Sequence, residues 1–306
     1  MTEGSRATAR VTRVDLMKKH LIAAALLALA ATPAFAYTAY IQPDAYWPED
    51  NDVRVRGTFA SQFFTPQIAT QSSFVLLGPD GAALPSDYID LAPEAATLHA
   101  ELPRQGTYRI STGEQFGAVA TLVGVDGQWR QLGQGETAPE GAPVRTLQTV
   151  TLADTYVTRG QPSSEVLAAP GGRLIIRPVT HPNQVLAAQG MQVDVLFDGQ
   201  PLANAAVVLY AQGDPDTKLD RFAVTDANGR ATFSFDSPGV YVIAARYRAD
   251  MPAGSAAQVA SFTSTLTVEA MSELPAGYDV AQRERQQERE ERRRATREVQ
   301  RRGRFN

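Results

Sequence analysis

Four dipeptides, Asp80-Gly81, Asp126-Gly127, Asp198-Gly199 and Asn228-Gly229, each stand between short runs rich in Val, Ile, Thr and aromatic residues. Asp and Asn tolerate positive φ and Gly adopts it freely, so such pairs suit the tight turns between antiparallel strands. The runs between them predict strands over Asp52–Thr58, Ser73–Leu77, Ala96–Leu102, Gly106–Ser111, Phe116–Val123 and Thr146–Val157. Beyond residue 172 the same pattern predicts Arg173–Pro178, Gln192–Phe197, Ala205–Ala211, Leu219–Thr225, Ala231–Phe235, Val240–Tyr247 and Ser261–Val268. Alternation is clearest in Val193–Phe197 and Ala231–Phe235. No stretch between residues 37 and 270 sustains a helical period. The expected fold is all-β: two immunoglobulin-like antiparallel β-sandwich domains, 37–160 and 172–270. The Gly/Pro/Ser-rich stretch Arg159–Gly172 reads as the linker between them.

The two ends differ from this body. Met17-Lys18-Lys19-His20 precedes an apolar run, Leu21–Ala30, that closes at Ala34-Phe35-Ala36. A basic start, a short apolar centre and small residues before a cut describe a secretory signal, too short to span a bilayer as a helix. The expectation is a signal peptide over residues 1–36, a true start at Met17, a mature chain from Tyr37 and a periplasmic location. No later stretch reaches transmembrane length, so the mature chain is expected to have no transmembrane segment. Residues 281–306 carry ten Arg and five Glu with almost nothing apolar, and read as an exposed helix or a disordered arm.

Composition narrows the chemistry. The absence of cysteine excludes disulfides, thiolate metal sites and thiol nucleophiles. Residues 37–280 hold 14 Lys and Arg against 26 Asp and Glu, a net of −12 that argues against nucleic acid as a partner. There is no Gly-x-Ser-x-Gly elbow and no partner set for a catalytic histidine, so the chain does not read as an enzyme. Candidate ligands for a transition metal are the imidazoles of His99 and His181 and the mature amino terminus at Tyr37. As structural residues, His181 beside Pro182 reads as a turn histidine bonded to nearby backbone, and His99 as a half-exposed strand residue. Asp214-Pro215-Asp216 with Asp220 places carboxylates in one loop, but without calcium-loop spacing they read as a solvated acidic hairpin tip. The aromatic pairs Tyr46-Trp47 and Phe63-Phe64 read as sandwich core rather than a sugar groove. Asp226 and Gly229, like Asp198 and Gly199, read as turn formers.

Four stretches together resemble a family of secreted bacterial proteins known as domain of unknown function 4198. They are Tyr37–Pro43 followed by Val53-Arg54-Val55 and Gly57; Arg173–Asn183; Val195–Ala205; and Thr225–Phe233 running on to Pro238–Ala245. The resemblance implies an association with nickel and cobalt uptake, and partners among envelope transport systems or outer-membrane receptors. Two places depart from the family pattern. Where the family opens its mature chain with His, this chain has Tyr37 and Thr38. Where the strand Val240–Tyr247 often ends in a His, this chain has Arg246 and Tyr247. The leading expectation is a non-catalytic periplasmic binding or accessory protein linked to nickel, cobalt or nutrient uptake. The competing one is a structural envelope adaptor acting through its sandwiches and basic tail.

Overall fold

The computed structural model describes residues 37–71, 73–86 and 88–275. The expected signal segment and the Arg/Glu-rich tail lie outside the described residues. In chain order the strands begin with β1 (Thr38–Pro43), β2 (Asp52–Ala60), β3 (Ile68–Ala69), β4 (Val75–Leu77), β5 (Ala83–Leu84), β6 (Tyr88–Leu91) and β7 (Ala96–Glu101). Next come β8 (Gly106–Ser111), β9 (Gln115–Val125), β10 (Gln128–Gln131), β11 (Val144–Arg159), β12 (Leu174–Pro178) and β13 (Met191–Phe197). The last are β14 (Gln200–Pro201), β15 (Ala206–Ala211), β16 (Phe222–Val224), β17 (Arg230–Phe233), β18 (Gly239–Asp250) and β19 (Val259–Ala270). The fold is all-β, as the sequence predicts, with one short 3₁₀ turn at Glu165–Ala168.

Three sheets form three layers. A five-stranded sheet has the order β1-β2-β7-β6, with β3 on β2. A ten-stranded sheet runs β16-β15-β18-β19-β11-β8-β4-β5, with the β9–β10 hairpin on β11. A four-stranded sheet holds β12, β13, β14 and β17 around β13. Period-two alternation in the ten-stranded sheet feeds both neighbours. Val208, Tyr210, Val242 and Ala244 pack with Tyr40 and Phe63 on the five-stranded side. Val207, Leu209, Ile243 and Ala245 pack with Leu174, Ile176, Val193 and Val195 of the four-stranded sheet. β15 and β18 of the middle layer are therefore apolar on both faces for much of their length.

The two halves of the chain meet within one sheet. β11 pairs in parallel with β19, from Leu147 opposite Val259 to Thr155 opposite Thr267. The Thr155 hydroxyl reinforces the joint by donating to Thr267 O at 3.0 Å. On its other side β11 pairs first with β9, through a bulge between Gln148 and Val150, and then from Asp154 onward with β8. The stretch expected as a linker is itself packed: Val166 is fully buried in the same core as Val150 and Tyr156 of β11. Arg109 of β8 anchors it, donating to Ala169 O at 3.2 Å and Pro170 O at 3.0 Å while holding Asp154 of β11 at 2.7 Å. Burial works against the Arg109 cation, but the charge of Asp154 offsets it and holds the guanidinium above its ordinary value.

Several element bounds depart from those read in the sequence. Leu219–Thr225 shrinks to Phe222–Val224, because Lys218 and Arg221 are engaged by Asp214 in the preceding loop. Ser73–Leu77 begins only at Val75, and Thr38–Pro43 is a strand that the expected set lacked. The polar position Asp194 in β13 is buried rather than exposed, because Arg177 of β12 and Arg230 of β17 flank it at 3.2 and 2.8 Å. Burial alone would raise its pKa; the bonds from these two arginines outweigh it and hold the carboxyl below its ordinary value.

Asp198 and Gly199 form the expected hairpin turn between β13 and β14, both at positive φ of 49° and 75°. Asn228-Gly229 does not join a hairpin. Its flanking strands, β16 and β17, lie in different sheets, so the turn carries the chain from the middle layer to the four-stranded one. Asp226 caps it, its carboxylate accepting from Asn228 N at 2.8 Å and Arg230 N at 2.9 Å. Gly229 sits at φ 73°, and a Cβ there would lie 2.5 Å from Val195 O. Both conformation and space demand glycine. Gly229→Val should destabilise by about 2 kcal/mol or more, read as a lowered urea midpoint; an unchanged midpoint would contradict this packing.

Candidate functional site

The ten-stranded sheet is longer than the five-stranded layer that covers it. Where the cover ends, the middle sheet floors an open groove of about 960 Å³. The floor is set by register. Arg248 of β18 stands opposite Ser261 of β19, which stands opposite Thr149 of β11; one row along, Arg246, Thr263 and Thr151 repeat the order. Two successive rows therefore each carry a guanidinium and two hydroxyls. Beyond them the floor turns apolar at Leu147 and Leu122, which cluster with Val259 and Trp129. Phe59 of β2 and Ile68 of β3, in the five-stranded sheet, also line the groove.

At the polar end, Arg246 donates from Nη1 to Tyr210 Oη at 3.1 Å and from Nη2 to Thr38 Oγ1 at 2.9 Å. Thr38 in turn donates to Asp216 Oδ2 at 3.4 Å. Asp216 is 7 % exposed, and burial pushes its carboxyl up against the opposing pull of Arg246 and Thr38. The structure thus brings together Tyr37-Thr38 and Arg246-Tyr247, the two places that the resemblance singled out in the sequence; all four residues line the groove. Sequence reading assigned no role to Ser261, Thr263, Thr149 or Thr151. On a strand they pass for ordinary outward hydroxyls, and only the β11–β19 register collects them.

The remaining candidates are dispersed. His99 lies on β7, its Nε2 3.0 Å from Asp90 Oδ2 and its ring stacked on Tyr88 at 4.0 Å. His181 lies across the middle sheet, in a buried polar knot. Its Nδ1 accepts from Asn183 N at 3.2 Å, so Nε2 carries the proton, donating toward Ser163 O at 3.1 Å or Thr107 Oγ1 at 3.0 Å. Asn183 extends the knot, accepting from Thr158 at 2.9 Å and donating to Tyr156 O at 2.8 Å, while its own carbonyl accepts from Trp47 at 3.0 Å. Tyr37, half-exposed at the groove mouth, shares no site with either histidine. Among the described residues, no three His, Asp or Glu side chains stand together as a metal ion would require.

The acidic loop is not the solvated tip that the sequence suggested. Asp214 and Asp216 are buried. Asp214 accepts from Lys218 at 2.8 Å, from Ala211 N at 2.8 Å and from Arg221, so its carboxylate already holds cations of this chain. Tyr46 and Phe63 are buried, as expected of core aromatics.

The sequence profile of a family described as "Domain of unknown function (DUF4198)" matches residues 34–249. The chain belongs to that family. No curated protein matches it. Among solved structures, the D0-D1 domain of intimin is similar over 76 % of this chain and 97 % of its own, at 13 % identity and a TM-score of 0.20. An alpha-2-macroglobulin from Escherichia coli is similar over 78 % of this chain and 16 % of its own, at 11 % identity and a TM-score of 0.21. A marsupial T cell receptor is similar over 78 % and 75 %, at 10 % identity and 0.18. At these scores the likeness is remote. No helix among the described residues is long and apolar enough to cross a membrane.

Burial lowers the pKa of His181, opposed by its bond to Ser163 O. The folded protein therefore binds a proton there less readily than the unfolded chain does. Its contribution is complete above the ordinary histidine value of 6.5 and is lost as pH falls below it. Denaturation at pH 7.5 and 5.5 should show a loss of stability on acidification that is reduced in His181→Gln; equal losses in the two proteins would contradict the buried neutral tautomer.

Proposed function

We propose that this protein is an exported, non-catalytic binding protein of the cell envelope, acting as an accessory in nutrient uptake through the groove on its middle sheet. The observation that carries the reading is the groove itself. Its volume lies in the range of small-molecule sites, and it combines an apolar end with a few convergent polar groups, as such sites do. A non-catalytic role fits the floor chemistry. The hydroxyls of Thr149, Thr151, Ser261 and Thr263 have neither histidine at hand as a base, since both histidines lie on other elements. Export is supported by the signal-like segment ending at Ala36; the residue after it, Tyr37, lines the groove.

Within this family an association with nickel and cobalt is the natural expectation for the cargo. The donor chemistry here favours an organic ligand over a bare metal ion. His99 and His181 are each held by internal partners, and apart from Asp216, which accepts from Thr38, the polar groups of the groove are mainly guanidinium and hydroxyl, poor ligands for nickel or cobalt. The envelope adaptor remains the competing role, and it needs no groove.

A thermal-shift screen of the protein against nickel, cobalt, sugars, amino acids and organic acids tests the reading. At least one class should raise the unfolding midpoint, and Thr263→Trp, which fills the groove floor, should abolish that rise. Protection by no class, or protection unaffected by Thr263→Trp, would overturn it.

A further inference from the structure

We infer that the groove takes a linear, medium-chain acyl carboxylate, with the carboxylate at Arg246 and the chain running toward Leu147 and Leu122. This rests on the groove being a ligand site and specifies what enters it.

The anionic end follows from Arg246. Its hydrogen bonds go to two neutral hydroxyls, Tyr210 and Thr38. A guanidinium carries five donors, so the fork keeps N–H groups to offer a carboxylate. Tyr210 and Thr38 hold the fork in place, with the guanidinium carbon 6.0 Å from the centre of the Tyr210 ring. Asp216 also borders the groove at this end, but it is only 7 % exposed and its carboxylate accepts from Thr38 at 3.4 Å, so little of it faces the head group. The hydroxyls of Thr263 and Thr151 continue the same row and supply further donors to the head group. Arg248, one row along, adds positive charge in a body whose net charge is otherwise strongly acidic.

The apolar body follows from the other end. Leu122 and Leu147 belong to a small cluster with Val259 and Trp129, and they line the groove. Ile68, 48 % exposed, offers a further apolar wall. A sugar or a metal ion would leave this end unused. Along β11, Leu147 to Thr151 spans roughly 13 Å at the usual rise of a strand, which suits an acyl chain of medium length. A head group alone would engage only the polar end, and a neutral chain only the apolar one.

Trp129 lies at the apolar end, so its emission reports arrival of the chain. The full chain is titrated with decanoate, decanol, decylamine and acetate. Decanoate should bind at least about tenfold more tightly than decanol or decylamine, the usual value of a charge-assisted hydrogen bond, with acetate far weaker than decanoate. Arg246→Gln should reduce decanoate to the level of decanol while leaving decanol unchanged. Because Arg246→Gln could disturb the fold, Ile68→Asp provides a second test: this exposed position places a like charge in the groove and should weaken decanoate more than decanol. Equal binding of the three ten-carbon probes, or decanoate binding indifferent to both substitutions, would overturn the inference. If another class of ligand stabilises the protein through Thr263 while decanoate does not, the acyl assignment fails and the groove reading stands. If nothing binds, both fail.

Discussion

The parallel pairing of Leu147–Thr155 with Val259–Thr267 is the contact on which the rest of the molecule depends. It joins strands that are more than a hundred residues apart, and it turns two sandwiches into three layers around one shared sheet. Closing so long a loop is entropically costly, so the pairing must be secured by what it buries. Both faces supply that. Val150 and Tyr156 of β11 and Phe262 and Leu266 of β19 enter one core on the four-stranded side. On the other face Thr265 donates to Ala39 O at 2.8 Å, tying β1 to the joint. The same register produces the groove, because each row of its floor is completed only when β19 lies beside β11. Fold and candidate site are consequences of one pairing.

Two buried polar clusters reinforce the joint from the four-stranded side. The Arg109–Asp154 pair crosses from β8 to β11 and holds the covering segment through Ala169 and Pro170. The knot of Thr107, Thr158, His181 and Asn183 ties β8 and β11 to the turn that follows β12. Removing one member of such a cluster leaves the others buried without partners, which costs more than the bond itself. This gives the His-Pro-Asn turn a structural role. Its polar atoms are consumed in joining the halves.

Much of the strand content was legible because period-two alternation and Asp-Gly turns are local signals. Val193–Phe197 and the Asp198-Gly199 turn needed no tertiary information to be read. What could not be read was pairing between distant strands. Nothing in Thr146–Val157 or Ser261–Val268 announces a parallel neighbour, and the positions that become the groove floor look like ordinary solvent-facing hydroxyls. The Asn228-Gly229 turn misled for a related reason: a tight turn specifies its own geometry but not whether its strands stay in one sheet. Asp194 and Asp216 gave no sign of burial because their partners, Arg177 and Arg230 for the one and Thr38 for the other, come from distant elements, while Asp214 is held by Lys218 and Arg221 of its own loop. One site signal was present in the sequence. Thr38 and Arg246 belong to the two places that the resemblance singled out, and the fold brings their side chains within 2.9 Å.

The shared sheet is tested most directly by native-state hydrogen exchange across a denaturant series. If the joint holds the halves together, amides of β11 between residues 147 and 155 and those of β19 between residues 259 and 267 will exchange through one common opening with the same dependence on denaturant. Two openings with separate free energies, one for each half of the chain, would contradict it.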